Sequence, residues 1–299
     1  MPSTREMRLR IRSVKNISQV TRALETVSAS KVRKAVQAAG ATRPYSEKAW
    51  QVLIQLARQP GNTSLLPLLS ERREINKILA IMISSDRGLA GPYNMKIFRS
   101  TIRFFSEFPR IISYAAVGRK GRDLLYRSRQ KVTADFSNLS SPTTFPEASA
   151  IGRMAVDDFL SGNFDAIYLA YTNFENMLDQ RPVIRKLLPL KVVEGFPEEP
   201  GVESTAYQTR SVFGYEPGQA ELLDQVVPRF TVLQVYQAIL SSQASEHAAR
   251  MMAMRNATDN AQELLGDLQL QYNKIRQQII TNEMLDIAGG AEALGDSVN

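Results

Sequence analysis

A chain of 299 residues with 43% hydrophobic and 22% charged content can build one sizeable domain with extensions, or two domains, and neither disorder nor membrane residence is favoured. The absence of cysteine excludes disulfides, thiolate metal sites and cysteine nucleophiles, and a single histidine, His247, excludes a histidine-based metal cluster. The net charge of +7 is unevenly placed, because residues 1 to 48 alone hold eleven Lys or Arg against three Glu. No window offers ~18 uninterrupted apolar residues and no signal-peptide core opens the chain, so it is expected to stay where it is made.

The first element is a long helix over roughly residues 4 to 57, about 80 Å if straight at ~1.5 Å per residue. Met7, Ile11, Val14, Ile17, Val20, Leu24 and Val27 follow three- and four-residue steps and predict one apolar stripe along it. Its basic character admits three readings: a solvated face, a nucleic-acid or membrane-surface binder, or a partner for an acidic protein surface. No aromatic residue interrupts the basic run before Tyr45, which weakens the case for stacking on single strands.

After Pro60, Gly61 and Pro67 an α/β pattern begins. Strands are predicted at 76–84, 111–117, 131–136, 165–172 and 182–190, with helices near 94–107, 119–128 and 146–161 between them. This alternation predicts an open, Rossmann-like parallel sheet of the doubly wound kind with an antiparallel edge. Residues 194 to 218, rich in Gly, Pro and Glu, are expected to form a surface loop. A second long helix follows over roughly 229 to 294, with Pro228 expected to break or kink its start. Leu265, Leu268, Tyr272, Ile275 and Ile279 repeat the helical stepping, so the two terminal helices are expected to pair as an antiparallel coiled coil. Ala244 and Ala248 depart from that stepping and predict irregular pairing there. The domain organisation expected is a coiled-coil helix at 1–60, a globular α/β domain at 61–218 and a second coiled-coil helix at 219–299.

Chemistry is sparse. SSDRGLAGPYN, residues 84 to 94, follows a strand and precedes a helix, where backbone amides can hold phosphate. Its Gly88 and Gly91 fit neither dinucleotide-binding nor phosphate-loop spacing, and a tight turn with local polar contacts from Asp86 and Arg87 is the plainer reading. VGRKG, residues 117 to 121, is less specific still. His247 reads as a packed or solvated side chain, and Met251, Met252 and Met254 as adaptable apolar filler. Asp157 and Asp158 point about 100° apart on a helix and make no paired-carboxylate site.

The two ends together resemble a known family. IRSVKNISQVTRALETVSASKVRKA, residues 11 to 35, is similar to the opening helix of the gamma subunit of F-type ATP synthases. ITNEMLDIAGGAEAL, residues 280 to 294, resembles its terminal signature in Ile280, Thr281, Glu283, Asp286, Gly290 and Ala291. Residues 244 to 261, 268 to 278 and 84 to 94 resemble it too, although Ala90, Gly91 and Pro92 stand where the family commonly has Cys-Gly-Gly. The resemblance implies a non-catalytic rotor without cofactor or metal, which couples rotation of a membrane ring of c subunits and proton flow to ATP synthesis or hydrolysis in beta subunits. The implied partners are alpha, beta and epsilon subunits and the c ring, and the membrane is reached only through that ring, on the cytoplasmic side of a bacterial inner membrane. Carried over by motif, Arg276, Gln277 and Thr281 are expected to contact a beta-subunit loop, with Lys31 and Arg33 as further contacts. Thr26 stands where relatives often carry Met. Tyr215 and Glu216, with Pro217, resemble the foot that faces the c ring or epsilon. The alternative reading is a basic coiled-coil nucleic-acid-binding or scaffold protein.

Overall fold

The structure, a computed structural model, describes residues 3–57, 67–70, 72, 74–190 and 219–296. The elements run α1 (Thr4–Ala57), β1 (Lys77–Ile83), α2 (Tyr93–Ser106), β2 (Ile111–Val117), α3 (Arg119–Arg127), β3 (Val132–Phe136), α4 (Phe145–Leu160), β4 (Ala166–Phe174), β5 (Gln180–Leu188) and α5 (Gln219–Asp296). Two compact units result, Met1–Val27 with Met251–Asn299, and Ser28–Arg250. The expected loop at 194–218 lies outside the described residues.

In the first unit the helices pair antiparallel. Arg8 donates to the Tyr272 hydroxyl at 2.7 and 2.9 Å, while Thr21, further along α1, meets Thr258, further back on α5, at 2.7 Å. The buried seam on α1 is Met7, Ile11, Val14, Ser18 and Thr21, in strictly alternating steps of four and three. It faces Met254, Thr258, Ala261, Leu265, Leu268, Tyr272 and Ile275, stepped the same way on α5, which is the pattern of a coiled-coil seam. This corrects the predicted stripe. Ile17, Val20 and Val27 are 51%, 58% and 53% exposed, because one residue of displacement turns a side chain by about 100° and places them outside the seam. Small hydroxyl residues hold the seam instead. Burial of Thr21 and Thr258 is tolerated because each hydroxyl also reaches a carbonyl of its own helix, Ser18 at 3.1 Å and Met254 at 2.9 Å.

In the second unit five strands form one sheet in the order β3-β2-β1-β4-β5, parallel except for β5. KILAIMI, central and covered on both faces, is apolar almost throughout for that reason. Ile78, Ala80 and Met82 face α2 and α3, packing with Ile97, Phe105 and Leu125. Leu79, Ile81 and Ile83 face the other layer, where Ile151 and Phe159 of α4 join Trp50 and Leu53 of α1 and Phe230, Val235 and Ile239 of α5. A capping box starts α4: the Glu147 carboxylate accepts the Thr144 amide at 2.8 Å.

Pro228 does not break α5, which begins nine residues earlier. An interior proline costs about 3 kcal/mol. Val227, Phe230 and Leu233 are buried around it, each side chain contributing roughly 1.5–3 kcal/mol, so their packing outweighs the lost main-chain bond. Ala244 and Ala248 are both buried, together with Ser242, Ser245, His247 and Arg250. Here the helix is enclosed by the sheet's loops rather than held along one seam, which accounts for the departure from regular stepping.

Candidate functional site: the closed crevice and the exposed helix faces

In a doubly wound sheet, ligands enter the crevice outside the carboxyl ends of the strands where strand order reverses, here between β1 and β4. The loop at residues 84–94 forms that edge, and its Ser84, Ser85 and Asp86 side chains are engaged with protein while Arg87 and Leu89 are exposed. The Ser84 hydroxyl donates to the Val117 carbonyl at 3.0 Å and accepts the Gly121 amide at 2.8 Å. Asp86 accepts the amides of Arg119 at 3.0 Å and Asn138 at 3.1 Å. The amides that open α3, the natural phosphate cradle, are therefore occupied by Ser84 and Asp86. The glycines of VGRKG serve this packing. Gly118 has φ +95°, and a Cβ on it would stand 2.8 Å from the Ser84 carbonyl carbon. A Cβ on Gly121 would lie 2.8 Å from Met82 Cε and closer still to the Ser84 hydroxyl. The plainer reading of the loop holds, with Arg87 contributing its carbonyl.

The rest of the crevice is filled by residues 241–250 of α5. The Ser241 hydroxyl accepts the Phe174 amide at 2.9 Å, and Ser245 donates to the Thr172 carbonyl at 3.2 Å, both at the end of β4. Ser242 meets the Tyr93 hydroxyl of α2 at 2.7 Å. Gln243 accepts the Thr143 amide at 3.0 Å and donates to the Ser140 carbonyl at 2.8 Å. Arg250 donates to the carbonyls of Arg87 and Gly88, each at 3.2 Å, and to Glu246 at 2.7 Å. A cavity of about 30 Å³ remains beside Ser84, Asp86, Tyr93, Gly118 and Glu246, room for a water or two rather than a nucleotide. Among the described residues no group of His, Asp and Glu is placed to hold a metal ion.

Electrostatics follow burial. Burial pushes the Glu246 carboxyl up, Arg250 opposes the rise, and Asp86 adds to it. His247 is held down to about 4 by burial first, then by Arg250 and Lys31. A neutral His247 accepts from Arg250 at Nδ1, 3.2 Å away, because a guanidinium has donors only. Its proton therefore sits on Nε2 and is donated to Ser141 Oγ at 2.7 Å. This is the packed histidine expected from the sequence.

The residues singled out by resemblance are distributed along both helices. Arg276, Gln277 and Thr281 are exposed on α5, with the Thr281 hydroxyl donating to the Gln277 carbonyl at 2.9 Å. Arg33 and Thr26 are exposed on α1, and Lys31 is half-buried, its charge bearing on Glu246 and His247. Tyr215 and Glu216 lie outside the described residues. From Arg276 to Ala288 every side chain of α5 is exposed, including Ile280, Met284, Leu285 and Ile287. Asp158 accepts from Asn163 at 2.9 Å and forms no site with Asp157. The ten-residue anchor at 241–250 is not predicted from sequence; its signal is seven polar residues among the ten of SSQASEHAAR, on a helix expected to be apolar on one side.

A long antiparallel helix pair and a doubly wound sheet whose crevice between β1 and β4 is filled, among the described residues, by residues 241–250 of α5 define a mixed α/β class. The family model described as ATP synthase matches residues 3–294. Relatives named ATP synthase gamma chain include those of Dehalococcoides mccartyi, 46% identical over 98% of this chain and 100% of the relative, and Roseiflexus castenholzii, 43% identical over 99% and 100%. Among solved structures, a chain of the Euglena gracilis mitochondrial ATP synthase, OSCP/F1/c-ring, aligns with TM-score 0.66 at 18% identity, covering 97% of this chain and 94% of that one. A chain of the Tetrahymena thermophila mitochondrial ATP synthase, central stalk/c-ring, aligns with TM-score 0.59 at 24% identity, covering 80% and 99%. The chain belongs to the ATP synthase gamma-chain family, and the nucleic-acid-binding alternative is set aside.

Proposed function

We propose that this chain is the non-catalytic central rotor of an F-type ATP synthase. It turns with a c ring and drives alpha and beta subunits through their conformations, with epsilon bound to the α/β region. It is peripheral, on the cytoplasmic side of a bacterial inner membrane, and reaches the membrane through the c ring. Among the described residues no helix is long and apolar enough to cross a membrane. The observation that carries the reading is α5 from Arg276 to Ala288, exposed on every side yet bearing Ile280, Met284, Leu285 and Ile287, which calls for an enclosing partner. An asymmetric helix inside a ring favours a different conformation of each neighbour at each angle, and that differential affinity is the coupling. Arg276, Gln277 and Thr281 are proposed to touch a loop of beta, Lys31 and Arg33 to add charge contacts, and Tyr215 and Glu216 to face the c ring or epsilon. Exposed charge pairs contribute only about 0–1 kcal/mol each, weak enough to be remade at every step.

The chain has no thiol, which makes the test selective. Arg276→Cys, in complex with a beta subunit carrying one Cys in the facing loop, is oxidised and assayed for multi-turnover ATPase activity. Loss on cross-linking and recovery with reductant is the expected result. A quantitatively cross-linked complex that hydrolyses at its former rate would show that this segment does not turn against beta.

A further inference from the structure

The unassigned feature is the anchor at residues 241–250. At about 100° per residue, Ser241, Ser245, Ser242, Glu246, Arg250, Gln243 and His247 span about 240° of the circumference of α5. Glu246 holds Arg250 on the same helix, and the elements the others grip differ: the end of β4, α2, the loop at 140–143 and the loop at 87–88. Apolar contact is non-directional, whereas hydrogen bonds weaken steeply when bent and so resist rotation of a helix about its axis. Resistance to twisting α5 against the sheet is therefore concentrated in this segment.

Arg250 is the residue on which most of it converges. Its side chain is only 10% exposed, and Glu246, its ion-pair partner, 13%. Its guanidinium reaches two consecutive carbonyls of the crevice loop, a carboxylate one turn away and the imidazole that reaches Ser141. No lysine can hold two carbonyls and a carboxylate in one plane.

Resting on the rotor reading, we propose that residues 241–250 are the torque anchor of the rotor and that Arg250 is a positioning residue for energy coupling. Load passes between the sheet and α5 through its guanidinium, although the residue touches neither nucleotide nor proton path. Without it α5 yields under load, so ATP is hydrolysed and protons are not moved.

The test uses the assembled synthase in membrane vesicles with two variants, Arg250→Lys, and Arg250→Met combined with Glu246→Gln, which removes both buried charges. ATP hydrolysis, ATP-driven proton pumping, subunit content and the unfolding midpoint of the purified chain are measured together. The expected result is loss of pumping with hydrolysis retained, at normal subunit content and, for Arg250→Lys, near-normal midpoint. Pumping and hydrolysis kept in the parental ratio in both variants would overturn the proposal. Pumping, hydrolysis and subunit content falling in parallel would also overturn it, since the network would then serve folding alone. Vesicles assembled without this chain separate the two ideas: if they pump as well as the parent, the rotor reading itself fails.

Discussion

Gly121→Ala tests whether the strand-to-helix junction is closed by packing. The new methyl would stand 2.8 Å from Ser84 Cβ and from Met82 Cε, and closer to the Ser84 hydroxyl. Met82 can swing its end away, but Ser84 is tied to the Val117 carbonyl at 3.0 Å and the Gly121 amide at 2.8 Å. Displacing that hydroxyl loses two hydrogen bonds worth about 1 kcal/mol each and leaves a buried amide unsatisfied at about 1–3 kcal/mol. Alanine gains back about 1 kcal/mol within the helix. The net expectation is destabilisation by about 2–4 kcal/mol, read as a lowered urea midpoint. The decisive step is the double mutant. In a Ser84→Gly background the obstruction is gone, so Gly121→Ala should stabilise by about 1 kcal/mol, its helix-propensity gain alone. The same destabilisation in both backgrounds would refute the argument, because the cost would then not arise at Ser84.

Gly152→Val would place Cβ 2.8 Å from Val232 Cα where α4 meets α5, and should destabilise by about 1–3 kcal/mol; an unchanged thermal midpoint would show that the helices separate freely. Thr21→Val combined with Thr258→Val should be near neutral in stability, since both buried hydroxyls go together, whereas disulfide trapping between Cys residues replacing Arg8 and Tyr272 should become less selective as the register loosens. His247 is depressed to about 4 from 6.5, so the unfolded chain takes up a proton first; its contribution to stability is fully present above 6.5 and lost as pH falls through about 4. Because it is the only histidine, imidazole ¹⁵N NMR should show one pair of ring-nitrogen signals, at about pH 5 still those of a neutral ring with the proton on Nε2, and titration near the ordinary value would contradict the buried assignment.

Much of the fold is legible in the sequence because local pattern and packing agree. The apolar run at β1 sits at the sheet's centre, and the strand at 111–117 is found with those bounds. Failures occur where polar residues do structural work. Hydropathy favours Ile17 and Val20 over Ser18 and Thr21, yet alternating four-three spacing from Met7 selects the hydroxyls. The missing donor of Pro228 is visible in the sequence, whereas the buried neighbours that compensate it belong to tertiary packing. The anchor at 241–250 is visible in the sequence only as a polar stretch and not as an anchor, since its polar side chains find partners 67 or more residues away, except for the Glu246, His247 and Arg250 contacts within the helix.

Rotation itself can be observed directly. Ser128→Cys places a sole thiol at the exposed end of α3, where a gold particle or bead can be attached to the chain in an immobilised complex with alpha and beta subunits. On addition of ATP the probe is predicted to turn continuously in one direction and to stop when ATP is exhausted. A labelled chain that stays fixed while the same complexes hydrolyse ATP at the unlabelled rate would contradict the account.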